Sequence, residues 1–397
     1  MVKSMQNSID LSLQRLLGWI GQNGWAGYDP FSVLETPFFM WLIRLPRIMP
    51  LRILRYPFFV SLRIMPGFWL RILNCQKKIN AKGMGLFAKS YLNLFEKTGK
   101  GAHLVEAKKC LKWLESNYSR GYSGLCWGYP FDWQSYVFIP KGTPSGVVTF
   151  TVGDSFWKAY KLLGDKRYLD ICENICHFFL NDLNRDIISE NSFCFSYTPL
   201  DKMHVYNANM FVAEFLIRIG KEIGNVEFTN AGIAATNYTL SGQRNDGAWP
   251  YFGKPDSFCV VVDNYHSGFV LRMMYSIYEL TGRLDVKDAV KKGFEYYLNN
   301  LFEDNMLPKY SDKATCPIDI HACSEGILCL SKLCKLDRRA SEILRNLINW
   351  TIGNMQDKDG HFFYMKGKYL TVKTPYIRWA QAWMLYALSE NNSVCIN

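Results

Sequence analysis

The chain predicts an all-α fold: an (α/α)6 toroid, or barrel, of helical hairpins with long loops on one face, preceded by a basic, apolar N-terminal segment. Three observations predict it. Six times a polar, aromatic-rich loop runs into an apolar helix, with helices beginning near residues 82, 145, 204, 263, 319 and 374. The resulting period of about 55–63 residues fits one helical hairpin plus one long loop per unit. Two kinds of helix alternate within that period. One kind is amphipathic, as in Leu104, Ala107, Leu111, Leu114 and Tyr118, or Val286, Val290, Phe294, Tyr297 and Leu301. The other is apolar nearly all round, as in FVLRMMYSIYEL from Phe269 and WAQAWMLYAL from Trp379, which suits an inner ring with neighbours on every side. Finally, the connections are lopsided. Inner helices lead to outer ones through a few residues, at Thr98-Gly99, Gly164-Asp165, Thr281-Gly282 and Leu336-Asp337. The return takes about 17–24 residues, around 119–142, 183–203, 243–262, 302–318 and 357–373. Loops of that length in a compact domain usually carry function, so the site belongs on their face.

The first residues, MVKSMQNSID, lack the apolar core of a signal peptide, and no stretch reaches the ~18–20 uncharged apolar residues of a membrane span, so a cytoplasmic protein is expected. The division expected is 1–80 for the basic, apolar segment and 81–397 for the toroid. Residues 37–80 hold eight basic side chains (Arg44, Arg47, Arg52, Arg55, Arg63, Arg71, Lys77, Lys78) and no acidic one, against a net charge of +11 for the whole chain. Trp, Phe, Leu and Arg mix there as they do in surfaces that lie among anionic headgroups, while prolines at 46, 50, 57 and 66 forbid one long helix. Peripheral contact at the inner face of the membrane is one reading. The other is that 37–80 supplies an outer helix, since only five outer helices follow residue 80 and a sixth must come from the N-terminal region. No nucleic-acid motif accompanies the charge, so nucleic acid is not an expected partner. The twelve cysteines show no disulfide framework and read as reduced thiols in packed helices.

Each loop and the helix start after it offer candidate site residues. GLCWGYPFDWQ (124–134) carries Asp132 with Trp127, Tyr129 and Trp133, rings able to stack on a sugar face or merely to fill the mouth. His204, Asn207 and Asn209 open the third inner helix; Trp249 and Tyr251 precede Asp263 and His266; His321 and Glu325 follow Asp319; and Tyr376, Arg378 and Gln381 open the last. Six helix starts converging on one rim bring their free N–H groups and positive dipole ends together, which favours an anionic ligand such as an acidic sugar. Asp263 and Asp319 also read as plain helix caps. For His266 and His321, a general-base role stands beside a structural hydrogen bond. A zinc site drawn from Asp319, His321 and Cys323, with or without Cys316, is disfavoured because alternate residues at a helix start point different ways. No metal and no cofactor is expected.

The motifs GYDPF (27–31), NAKGMGLFAKSYLNLFEKTG (80–99), WGYPFDWQ (127–134), HVYNANMFVAEFL (204–216), DNYHSGFVL (263–271) and TPYIRWAQAWMLYALSE (374–390) resemble the VpsJ-type α/α-toroid family of prokaryotic polysaccharide biosynthesis. The resemblance covers nearly the whole chain and implies this fold and a role in making or modifying a cell-surface polysaccharide. The last motif is also similar to the C-terminal helical domain of glucuronyl C5-epimerases, which implies that Tyr376 and Arg378 handle a uronate. The expected partner is thus an acidic oligosaccharide or polysaccharide, free or lipid-linked.

Two mechanisms fit these residues. In one, His266 or Tyr251 removes the proton beside a uronate carboxylate held by Arg378 and Asn207, giving epimerisation or lyase-type elimination. In the other, Asp132 with Asp263, or Asp263 with Glu325, flanks a glycosidic bond as in a glycoside hydrolase. A non-catalytic glycan-binding or assembly role is a third reading. A terpene cyclase or prenyltransferase is a minor one, since the chain holds no Asp-Asp dipeptide.

Overall fold

The computed structural model describes residues 2–45, 49–256 and 261–390. In chain order, α1 (Val2–Asn23) is followed by α2 (Pro37–Arg44), α3 (Met49–Ile64) and α4 (Pro66–Ile72). Inner and outer helices then alternate: α5 (Ala81–Thr98), α6 (Gly101–Ser116), α7 (Gly146–Leu163), α8 (Lys166–Asn181), α9 (Tyr206–Ile223), α10 (Val226–Ser241), α11 (Asn264–Thr281), α12 (Leu284–Asn300), α13 (Ile320–Leu333) and α14 (Arg339–Met355). A π-helical segment, Ile377–Ala382, runs into α15 (Trp383–Glu390). Helix α5 packs on α7, α7 on α9, α9 on α11, α11 on α13, α13 on α15 and α15 on α5, so the inner ring closes as the period requires.

The pattern of burial follows from the two kinds of sequence. In α13 every residue except Lys332 is buried, whereas α6 buries one stripe, Ala107, Cys110, Leu111 and Leu114. The ring is tight where α5 meets α7: a Cβ on Gly85 would lie 2.9 Å from the Thr151 carbonyl oxygen. Helices α5, α7, α9 and α11 each end on a glycine in the left-handed region, φ 67–73°, which turns the chain at once into the outer helix. The long loops carry short antiparallel pairs that helical periodicity does not reveal. These are β1 (Trp133–Gln134) with β2 (Phe138–Ile139), β3 (Arg185–Ser189) with β4 (Ser192–Phe195), and a three-stranded patch of β5 (Ile318–Asp319), β6 (Met365–Lys366) and β7 (Thr371–Val372).

The sixth outer helix is α1, which packs on α14 and α15 through Met5, Ile9, Leu13, Leu16 and Ile20. The segment 37–80, one candidate for that place, packs elsewhere. Helices α2–α4 build a second apolar cluster in which Phe39, Leu42 and Leu70 meet Val33 and Tyr376 on the loop side of the ring. Arg47, with Pro46 and Ile48, lies outside the described residues. Among the described residues seven cysteines are buried free thiols, while Cys334 is disulfide-bonded and departs from the expectation of reduced thiols throughout. Among the described residues no helix is long and apolar enough to cross a membrane.

Candidate functional site

All inner helices run the same way, so their first turns meet at the loop face. Their N-caps are Asn80, Ser145, Val205, Asp263, Asp319 and Tyr376. Toward the far end, Asp154 accepts from both Lys89 and Arg218 at 2.6 Å and Arg218 also donates to Glu214 at 2.7 Å, around a second cavity of about 360 Å³. At the loop face lies a cavity of about 150 Å³. First-turn residues of every inner helix reach it: Lys82, Val147, Asn207, His266, His321 and Arg378. Its walls are aromatic, with Phe131 and Trp133 on one side, Phe269 and Trp379 on another, and Tyr129, Tyr197, Tyr251 and Tyr265 presenting phenols. The volume is below the ~300–1,000 Å³ usual for drug-sized ligands, so the cavity suits one small ring rather than a chain. A larger groove of about 670 Å³ shares Phe31, Tyr265 and Trp379 with it and continues the space outward.

The two imidazoles are held differently. Asp263 accepts from the His266 backbone N–H at 2.9 Å as a helix cap, and its other oxygen lies 2.7 Å from His266 Nδ1. One carboxylate thus caps α11 and fixes the His266 ring. With Nδ1 donating to Asp263, Nε2 of a neutral His266 is left as a base. His321 stacks on Trp379 at 4.4 Å, and its Nδ1 lies 3.4 Å from the Trp379 carbonyl oxygen, which can only accept. Burial, then Lys82 and Arg378, hold its pKa well below the ordinary value, so His321 is neutral. Tyr265 stands between them, its ring 4.2 Å from His266 and 4.8 Å from His321. Burial raises the Tyr251 phenol, with Asp263 adding to the rise, so at neutral pH Tyr251 is protonated and not the free base considered above.

Lys82 was not singled out by motif. It is 4% exposed, makes no ion pair among the described residues, and faces Trp383 at 5.3 Å and Phe269 at 5.9 Å. Burial, followed by Arg378, lowers its pKa to about 7. Arg378 is not an open carboxylate clamp. Its Nε and Nη2 donate to Asp29 at 2.6 and 2.8 Å, and the guanidinium lies over Tyr129 and Trp379. Asp29 belongs to the GYDPF motif and Arg378 to TPYIRW, so two distant motifs form one buried pair. Asn207 Oδ1 is buried at the wall without a hydrogen-bond partner among the described residues, an acceptor suited to a sugar hydroxyl.

Trp133 joins Asn207, His266, Tyr251, His321 and Arg378 at the cavity, and Asp263 stands just behind. The remaining expected residues are elsewhere. Asp132 accepts from the Lys141 backbone N–H and shapes its loop. Trp127 and Trp249 are core residues whose indoles donate to the Leu114 and Thr239 carbonyls. His204 has both ring nitrogens engaged, by Asp186 at 2.7 Å and Asp256 at 2.8 Å, and ties two loops together. Gln381 brackets the Phe362 backbone, and Tyr376 sits in the second apolar cluster and lines the outer groove. Glu325 is fully buried in a bidentate pair with Arg272 at 2.6 and 2.8 Å. Asp319 caps α13 and accepts from Trp379 Nε1, and burial raises its pKa to about 6. Among the described residues no three His, Cys, Asp or Glu side chains are placed to hold a metal ion.

A closed ring of six helical hairpins with a cavity at the N-terminal rim of its inner helices is an α/α toroid. Among solved structures, the chain is similar to a cellobiose 2-epimerase from Bacillus thermoamylovorans, with TM-score 0.63 and 10% identity over 79% of this chain and 88% of that one. A D-mannose isomerase matches with TM-score 0.60 and 13% identity, covering 78% and 86% of the two chains. An unsaturated glucuronyl hydrolase specific for heparin matches with TM-score 0.56 and 14% identity, covering 77% and 84%. At these identities the likeness is one of fold. No family model matches the chain, and no curated protein matches it in sequence.

Proposed function

We propose that the cavity holds one ring of an acidic saccharide and moves a proton on and off the carbon beside its carboxylate, as an epimerase does. The observation that carries this reading is the pair of differently held imidazoles on either side of Tyr265, in a cavity whose described lining includes no Asp or Glu. Nε2 of His266, backed by Asp263, takes the proton from carbon. The electron pair moves into the adjoining C–C bond and leaves negative charge on the carboxylate oxygens, which the Lys82 ammonium stabilises. A protonated phenol of the wall, from Tyr129, Tyr197, Tyr251 or Tyr265, returns a proton to the opposite face and inverts the carbon, while loss of the neighbouring substituent with its bonding pair, protonated by His266, gives the unsaturated product of a lyase. Neutral His321 and Asn207 Oδ1 accept from ring hydroxyls, and the aromatic walls cover the sugar's apolar faces.

The solved epimerase, isomerase and glucuronyl hydrolase that share the fold support a carbohydrate substrate. The resemblance of the chain's motifs to the VpsJ-type family supports a place in cell-surface polysaccharide biosynthesis or modification. The hydrolase reading has less support, because Glu325 is consumed by Arg272 and Asp132 by its own loop.

Uronic-acid oligosaccharides incubated with the protein in deuterium oxide should gain deuterium at C5, or yield an unsaturated product. His266→Asn should slow this by about 10²–10⁴-fold while changing affinity little. Oligosaccharides that bind yet show neither signal would refute the proton-transfer chemistry and leave a glycan-binding protein.

A further inference from the structure

We propose that the outward face of α2–α4 docks on an anionic lipid bilayer. Helix α3 is apolar on two sides. Phe58, Phe59 and Leu62 pack into the second cluster, while Ile53, Tyr56, Pro57, Val60 and Ile64 fall at helical spacing on the other side. Ile53 is 65% and Tyr56 70% exposed, and Trp41 of α2 with Phe68 and Ile72 of α4 add to the same segment. A helix face meant only for water would carry polar groups there.

Charge selects the occupant. Residues 37–80 hold eight basic and no acidic side chains; Arg55 and Arg63 turn toward the groove, whereas Arg44 and Arg71 form no ion pair with a carboxylate among the described residues. A second copy of this chain would set these arginines against their own kind. An anionic bilayer offers both a partner for the guanidinium groups and an apolar layer for Trp41, Tyr56 and Phe68. Position gives the docking a use: Phe59, Leu62, Arg55 and Arg63 also line the groove that shares Trp379 with the sugar cavity. Docked through α2–α4, the protein would hold that groove close to the headgroups, within reach of a glycan carried on lipid. The docking itself does not depend on the proton-transfer reading, and its test needs no turnover.

The experiment is sedimentation of the full chain with vesicles of phosphatidylcholine alone or mixed with phosphatidylglycerol. Binding should require the anionic lipid and weaken with salt. Arg44→Gln with Arg71→Gln should lower partitioning by about tenfold or more. Ile53→Ser, Tyr56→Ser, Phe68→Ser and Ile72→Ser together should abolish it, with circular dichroism and melting unchanged because all four side chains are exposed. Absence of binding to anionic vesicles, or equal binding to neutral ones, overturns the proposal. So does a concentration-dependent dimer that the serine variant dissolves when no vesicle binding is found.

Discussion

At the residue scale, the site turns on Lys82, whose amine gives up the solvation of water without gaining an ion pair. Its folded pKa of about 7 lies below its ordinary 10.5. Between these values the unfolded chain holds a proton that the folded one lacks, so this group makes stability rise with pH through that window, and its cost is fully present below pH 7. Lys82→Met should therefore raise the melting temperature at pH 6, with the gain over wild type shrinking toward pH 10. The same substitution should weaken binding of a uronate but leave a neutral sugar of the same shape nearly unaffected. Because a bound carboxylate favours the ammonium, uronate affinity should fall as pH rises above about 7, by up to roughly tenfold per unit, which calorimetry would read. A pH-independent affinity would mean that Lys82 does not meet the carboxylate. Lys82 escaped notice in the sequence because it sits in a segment, NAKGMGLFAKS, where a lysine ordinarily marks a wet face.

The element scale explains why some polar residues near helix starts reach the cavity and others do not. An α-helix rises ~1.5 Å per residue, so Glu325, six positions beyond the Asp319 cap, lies roughly 9 Å below the rim. There it meets Arg272 from the neighbouring α11 rather than ligand. Burial pushes its pKa up and Arg272 opposes that rise. Glu325→Gln leaves the guanidinium uncompensated and should cost about 3–5 kcal/mol in denaturant unfolding. Adding Arg272→Met should recover much of that loss, and a double variant no better than the single one would contradict the pairing. Asp263 and His266, by contrast, were readable as a unit, since a cap and the residue three positions on share a turn.

At the scale of the whole molecule, α1 closes the ring. Ile9, Leu13, Leu16 and Ile20 form one buried stripe, and at about 1.5–3 kcal/mol each their burial amounts to roughly 6–12 kcal/mol, comparable to the net stability of a typical domain. Deleting residues 1–23 should expose the flanks of α14 and α15, giving a chain that binds hydrophobic dye and loses near-ultraviolet dichroism. A truncated protein with a native near-ultraviolet spectrum would show that the ring does not need this helix.

Helix identity, the number of hairpins, the face carrying the long loops and the caps at Asp263 and Asp319 all follow from local order, because periodicity and capping act within a few residues. The Asp29–Arg378 pair, the choice of α1 over 37–80 as the sixth outer helix, and the exclusion of Asp132, Trp127, His204, Trp249 and Glu325 from the cavity were decided only when the ring closed. Closure brings together groups as far apart as 349 positions, and it sets each side chain's depth and partners, which no local pattern encodes.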